Sequence, residues 1–238
     1  MLLGPDPMTT VLVTRPEPGA SSTVQRLREL GFNAVKLPLT QIVALAHEIP
    51  DGPFDGVIIT SAQALLGLDA KLITLPLYAV GEASAAAAVR AGFVTVHDGG
   101  GDVAALADAI RTAMPLGSRL LYLCGIVRRP DLERALAGYA LSVVETYDAK
   151  VIDYAAVDLP ELDLVLLTSV QSGAQISKLL TRPALNSSFA NASYLCLSQR
   201  IADALIGVRP TDTHVCARPD EDSLLNLAAI LGEIKPVL

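Results

Sequence analysis

The sequence predicts an α/β protein made of two parallel-sheet domains. Three observations carry this. Short apolar runs alternate with stretches of helical period along the chain. The pattern is repeated: Asp55-Gly56-Val57-Ile58-Ile59-Thr60-Ser61 returns 108 positions later as Asp163-Leu164-Val165-Leu166-Leu167-Thr168-Ser169. Two extended segments, 37–43 and 145–151, interrupt the alternation at the same place in each copy. A period this long marks a duplicated domain-sized unit, because solenoid repeats run about 20–50 residues.

The first repeat predicts strands near 11–14, 34–37, 57–60, 77–80 and 94–97. Each is a continuous apolar run, as expected of a strand covered on both faces. The first helix spans Ala20 to Leu30, with Val24, Leu27 and Leu30 at helical spacing and Gly31 ending it. Ala-rich Glu82 to Arg90 ends before Gly92, and Val103 to Ala113 follows Asp102 as its cap. The second repeat predicts strands near 120–124, 142–147, 164–168, 194–197 and 214–217. Its helices are Asp131–Leu136, Ser172–Leu180, Gln199–Leu205 and Asp222–Leu231, with Asp222 read as a cap. Ser61 and Ser169 are placed to cap the helical stretches that follow them. Five strands per unit in strand–helix alternation make each domain flavodoxin-like. The two extended segments would form a two-strand bridge if they paired with each other.

Composition narrows the function. The chain has 238 residues, room for two domains, and 51% are hydrophobic, enough for packed cores. No apolar run reaches the roughly 18–20 residues of a membrane helix. Met1 to Met8 lacks the basic start and long apolar core of a signal peptide, and can be read as an extension ahead of a start at Met8. Net charge is −7, Trp is absent and aromatics are 4%, which argues against a nucleic-acid binder. Cys124, Cys196 and Cys216 are odd in number, lie in apolar runs and form no CxxC, as reduced thiols of a cytoplasmic protein would. His47, His97 and His214 are scattered, and no triad, metal-spaced cluster, GxGxxG or Walker loop occurs. No metal and no cofactor are expected.

The chain from Val11 to Leu231 resembles uroporphyrinogen-III synthases. The resemblance rests on Val13-Thr14-Arg15-Pro16, Leu37-Pro38-Leu39, Asp55 through Ser61 and Tyr78-Ala79-Val80-Gly81. It continues through Leu121-Tyr122-Leu123-Cys124-Gly125, Arg128-Arg129, Val144-Glu145-Thr146-Tyr147, Leu167-Thr168-Ser169 and Leu197 through Ala202. It implies two interleaved domains, 1–38 plus 149–238 and 44–144, joined by a ladder of linker strands 37–43 and 145–151, with the substrate cleft between the domains. It implies a monomeric hydro-lyase that cyclises hydroxymethylbilane, a linear tetrapyrrole, with ring D inverted through a spiro intermediate. The substrate would arrive by transient handover from the preceding deaminase. No nucleic-acid or membrane partner is implied.

The same resemblance assigns the site. Tyr147 is the candidate proton donor to the leaving hydroxyl, since a phenol stays protonated near neutral pH. Ser61 and Ser169 would bind substrate carboxylates at helix starts. Ser84 and Ser198, just past the fourth strands, match polar cleft residues, and helix capping reads them nearly as well. Arg15, Arg129 and Arg200 are candidate carboxylate partners beside Arg128, with structural ion pairs as the competing reading. Thr14 and Gly125 would serve by close backbone approach. A non-catalytic two-domain receptor for a small anion fits the repeat and the bridge equally well. An FMN protein fits poorly, for want of aromatic residues to sandwich a flavin.

Overall fold

The structure, a computed structural model, describes residues 9–233; the reading of Met1 to Met8 lies outside them. In chain order the elements are β1 (Thr10–Val13), α1 (Gly19–Glu29), β2 (Asn33–Lys36), β3 (Thr40–Ala44), β4 (Gly56–Ile59), β5 (Leu77–Ala79), α2 (Glu82–Arg90), β6 (Val96–Asp98) and α3 (Val103–Ala113). Then follow β7 (Arg119–Gly125), α4 (Asp131–Ala135), β8 (Ala140–Val151), β9 (Leu164–Leu167), α5 (Val170–Leu180), α6 (Asn186–Phe189), β10 (Ser193–Cys196), α7 (Gln199–Ala202), β11 (Thr213–Val215) and α8 (Glu221–Glu233). The chain divides into two compact units, Met1–Gln41 with Lys150–Leu238, and Ile42–Ala149.

The first unit holds a five-stranded sheet in the order β11-β10-β9-β1-β2, with every pairing parallel. Alternate residues of one strand enter opposite cores, as the two-residue period of a strand requires. Leu12, Val165, Leu167 and Cys196 pack on one face with Ile176 and Leu179 of α5. Val11, Val13, Leu164, Leu166 and Leu195 pack on the other with Val24 and Leu27 of α1 and Leu224 and Leu225 of α8. This two-sided burial is why β9 reads as an unbroken Leu-Val-Leu-Leu run.

The second unit holds a six-stranded sheet in the order β3-β8-β7-β4-β5-β6. Here β8-β7, β7-β4, β4-β5 and β5-β6 are parallel. Val57, Ile59, Leu77, Leu121 and Leu123 line one face. Ile58, Tyr78, Leu120, Tyr122 and Cys124 line the other, against Leu106 and Ile110 of α3 and Leu132 of α4. β3, formed by the first extended segment, lies beside β8, and the Leu45 N–H donates to the Thr146 carbonyl at 2.9 Å. The second extended segment is not separate: it continues the predicted strand as the 12-residue β8.

Each sheet mixes the two repeats. β1 and β2 of the first repeat join β9 to β11 of the second, while β7 and β8 of the second join β4 to β6 of the first. Both sheets thereby reach the flavodoxin-like order, 2-1-3-4-5, by exchange of halves. Among the described residues, no helix is long and apolar enough to cross a membrane.

Candidate active site

In an open parallel sheet, ligands bind beyond the carboxyl ends of the strands, where strand order reverses. In the first unit that switch point lies between β1 and β9, and in the second between β7 and β4. The repeated Thr-Ser ends belong to β9 and β4, one at each switch point.

At the switch point of the second unit, Ser61 follows β4 and its side chain accepts the Gln63 N–H at 3.3 Å, capping a short 3₁₀ helix, Ala62–Leu65. Thr60 shares a 3.0 Å hydrogen bond with the Tyr122 hydroxyl from the next strand. Across the reversal, Gly125 ends β7 and faces Tyr147 of β8. The ladder slips there: Cys124 opposes Glu145, Gly125 opposes Tyr147, and Thr146 is the extra residue of a bulge. Val144 and Tyr147 are three positions apart, which in a regular strand sends them to opposite faces. With the bulge, both pack on the core face lined by Val57 and Ile59.

Tyr147 is half-buried, and burial pushes its phenol above the usual value. A side-chain hydrogen bond with Ser61 pulls the other way, by favouring the phenolate. A phenol that stays neutral at physiological pH is chemically able to donate a proton. The sequence reading gives Ser61 to substrate carboxylates; its hydroxyl here caps the Ala62–Leu65 turn.

The other predicted residues of this unit have separate surroundings. Ser84 is buried in the first turn of α2, whose cap position is taken by extended Gly81, so capping does not explain it. Arg129 is exposed and pairs with Asp131 at 2.9 Å. Arg128 is engaged on three sides, by Glu133 at 2.9 Å, by Glu145 at 2.8 Å and by the Gly125 carbonyl at 3.3 Å. The Glu145 hydrogen bond, above all, raises the Arg128 pKa further, fixing it as a cation.

In the first unit, Thr14 is fully buried and donates to the Leu166 carbonyl at 2.6 Å, bridging β1 and β9 across the switch point. Ser169 caps α5 by accepting the Ser172 N–H at 3.0 Å, and the Ser172 hydroxyl completes a capping box. Ser198 occupies the cap position of α7, yet its side chain makes no cap hydrogen bond. Arg15 pairs with Glu221 at 3.2 Å and donates to Thr23, also at 3.2 Å. Arg200 is exposed, and among the described residues it has no ion-pair partner. Asp222 proves not to be a cap. It lies in the first turn of α8 and pairs with Arg26, while Asp220 accepts the Ser223 N–H at 2.7 Å. Sequence reasoning also missed Thr146 and the Thr60–Tyr122 pair.

A family model described as uroporphyrinogen-III synthase HemD matches residues 21–226. A crystal structure of uroporphyrinogen-III synthetase from Helicobacter pylori 26695 is 19% identical, with 94% of this chain and 99% of that chain covered and a TM-score of 0.63. It shares the fold. A wild-type structure of the synthase from the extreme thermophile Thermus thermophilus is also 19% identical and covers 95% of this chain and 98% of that one, at a TM-score of 0.40. No curated protein sequence matches the chain.

Proposed function

The chain belongs to the uroporphyrinogen-III synthase family, and from that premise we propose that Tyr147 supplies the proton that starts its reaction. The enzyme closes hydroxymethylbilane into uroporphyrinogen III. The phenol donates to the terminal hydroxyl, which leaves as water and generates an electrophilic azafulvene. The substituted carbon of ring D attacks, giving a spiro intermediate whose fragmentation and re-closure invert that ring. Closure releases one proton from carbon. The phenolate accepts it, and the enzyme returns to its starting state.

The observation that carries the assignment is the place of the Tyr147 phenol: its ring lies across Gly125 at the carboxyl end of β7, beside the β7–β4 switch point. The Ser61 oxygen already accepts the Gln63 N–H, so its own proton is free to stabilise the phenolate. Ser169, Ser198 and Arg200 serve as binders of substrate carboxylates in this reading. Ser169 stands at the start of α5, the Ser198 hydroxyl is not spent on capping its own helix, and Arg200 has no competing anion among the described residues. Arg15, held by Glu221, acts in the fold. A monomer acting in the cytoplasm, fed by transient handover from the preceding deaminase, completes the reading. The receptor alternative has no support from the family.

Tyr147→Phe tests the assignment. Losing a general acid costs about 10²–10⁴-fold, so kcat for type III product should fall by that order while thermal stability is kept. Turnover equal to the parent chain would remove Tyr147 from this role.

A further inference from the structure

We propose that Thr146 is a positioning residue that holds the strand carrying Tyr147 and the turn capped by Ser61 in working geometry. This rests on the reading of Tyr147 as the acid.

Thr146 is the bulge residue of β8 and is 1% exposed. A buried hydroxyl requires a partner. This one donates to the Ala64 carbonyl at 2.9 Å, with the Cys124 carbonyl at 3.4 Å as a second acceptor. Ala64 belongs to the 3₁₀ helix that Ser61 caps, and its N–H donates to the Ser61 carbonyl at 3.1 Å. One hydroxyl therefore ties the turn carrying Ser61 to the strand carrying Tyr147, over 82 residues of sequence.

The backbone on either side of the phenol is also fixed. The Thr146 carbonyl accepts the Leu45 N–H at 2.9 Å, and the Tyr147 carbonyl accepts the Ile126 N–H at 3.0 Å. What these bonds leave open is the distance between β8 and the 3₁₀ helix. The Thr146 hydroxyl sets it. A displacement of about 1 Å at a proton donor costs up to about 10²-fold, so a bond far from substrate can govern turnover.

Removing the hydroxyl also strands the buried Ala64 carbonyl, so a purely structural threonine would lower stability too. The test must separate the two roles. Thr146→Val and Thr146→Ser are made in the parent and in Tyr147→Phe, with kcat, KM and thermal stability read for each. Valine is expected to lower kcat about tenfold or more with KM little changed, and serine to restore it. In Tyr147→Phe, valine is expected to cost stability again but no further kcat. Thr146→Cys, a weaker donor, is expected between valine and serine, and it keeps the test open if the valine chain does not fold. A valine or cysteine chain with parent kcat overturns the proposal. So does a valine penalty on kcat that persists undiminished in Tyr147→Phe, and this leaves the acid assignment standing. A fully active Tyr147→Phe overturns the acid assignment and this proposal with it.

Discussion

A methyl group on Gly125 would lie 2.7 Å from Cζ of Tyr147 and 3.0 Å from its hydroxyl oxygen. The glycine is required by space, because the ring lies across the end of β7. Gly125→Ala should push the ring out of place. Overpacking of this kind costs about 1–3 kcal/mol, and kcat should fall together with stability. Denaturant unfolding with steady-state kinetics on the same preparation checks both. Unchanged values in the two assays would mean that the ring moves aside freely.

Arg15 and Arg200 should separate. Arg15 sits in a network with Thr23, Glu221 and Arg26, at side-chain exposures near one third. Arg15→Ala is expected to lower stability by about 0.5–1 kcal/mol with KM nearly unchanged. Arg200→Ala is expected to leave stability within about 0.5 kcal/mol and to raise KM. The reverse pattern would exchange their roles.

Arg128 holds Glu133 and Glu145 together, and the second oxygen of Glu133 is buried with no hydrogen-bond partner among the described residues. Arg128→Met leaves that carboxylate unpaired. Breaking a fully buried pair costs about 3–5 kcal/mol; these side chains are 23% to 45% exposed, so about 2 kcal/mol is expected. Arg128→Lys should recover only part of it, because an ammonium cannot span both carboxylates with the fork geometry of a guanidinium. Full recovery by lysine in urea unfolding would contradict this.

Alkali should destabilise the fold in a defined window. Burial raises the Cys124 thiol from 9.0 to about 11 and the Cys196 thiol from 9.0 to about 12. It raises the Tyr122 and Tyr194 phenols from 10.0 to about 12. All four folded values are raised, so their contribution is whole below about pH 9 and is lost between about 9 and 12, where the unfolded chain releases its protons first. Urea midpoints taken from pH 8 to about 11 should fall steadily, with a smaller fall in Cys124→Ala. A flat profile would show that these groups are not buried as described.

Much of the fold was legible because burial on both sheet faces writes itself as unbroken apolar runs. Val57-Ile58-Ile59 and Leu164 to Leu167 could hardly be anything else. Ser61 and Ser169 were legible as caps because the motif is local. The bulge was not legible. One extra residue in Val144-Glu145-Thr146-Tyr147 leaves no mark in composition, yet it turns Tyr147 to the core face on which Ala64, of the turn that Ser61 caps, also packs. The fate of Arg15 was hidden for another reason: its partner Glu221 is 206 positions away, and only the folded first unit brings them together.

The most direct test supplies hydroxymethylbilane, made in situ, to the purified chain and separates the uroporphyrinogen isomers. The substrate closes unaided to the type I isomer, so the enzyme's signature is inversion of ring D. Predominantly type III product is predicted. Type I alone, as in a protein-free control, would contradict the account.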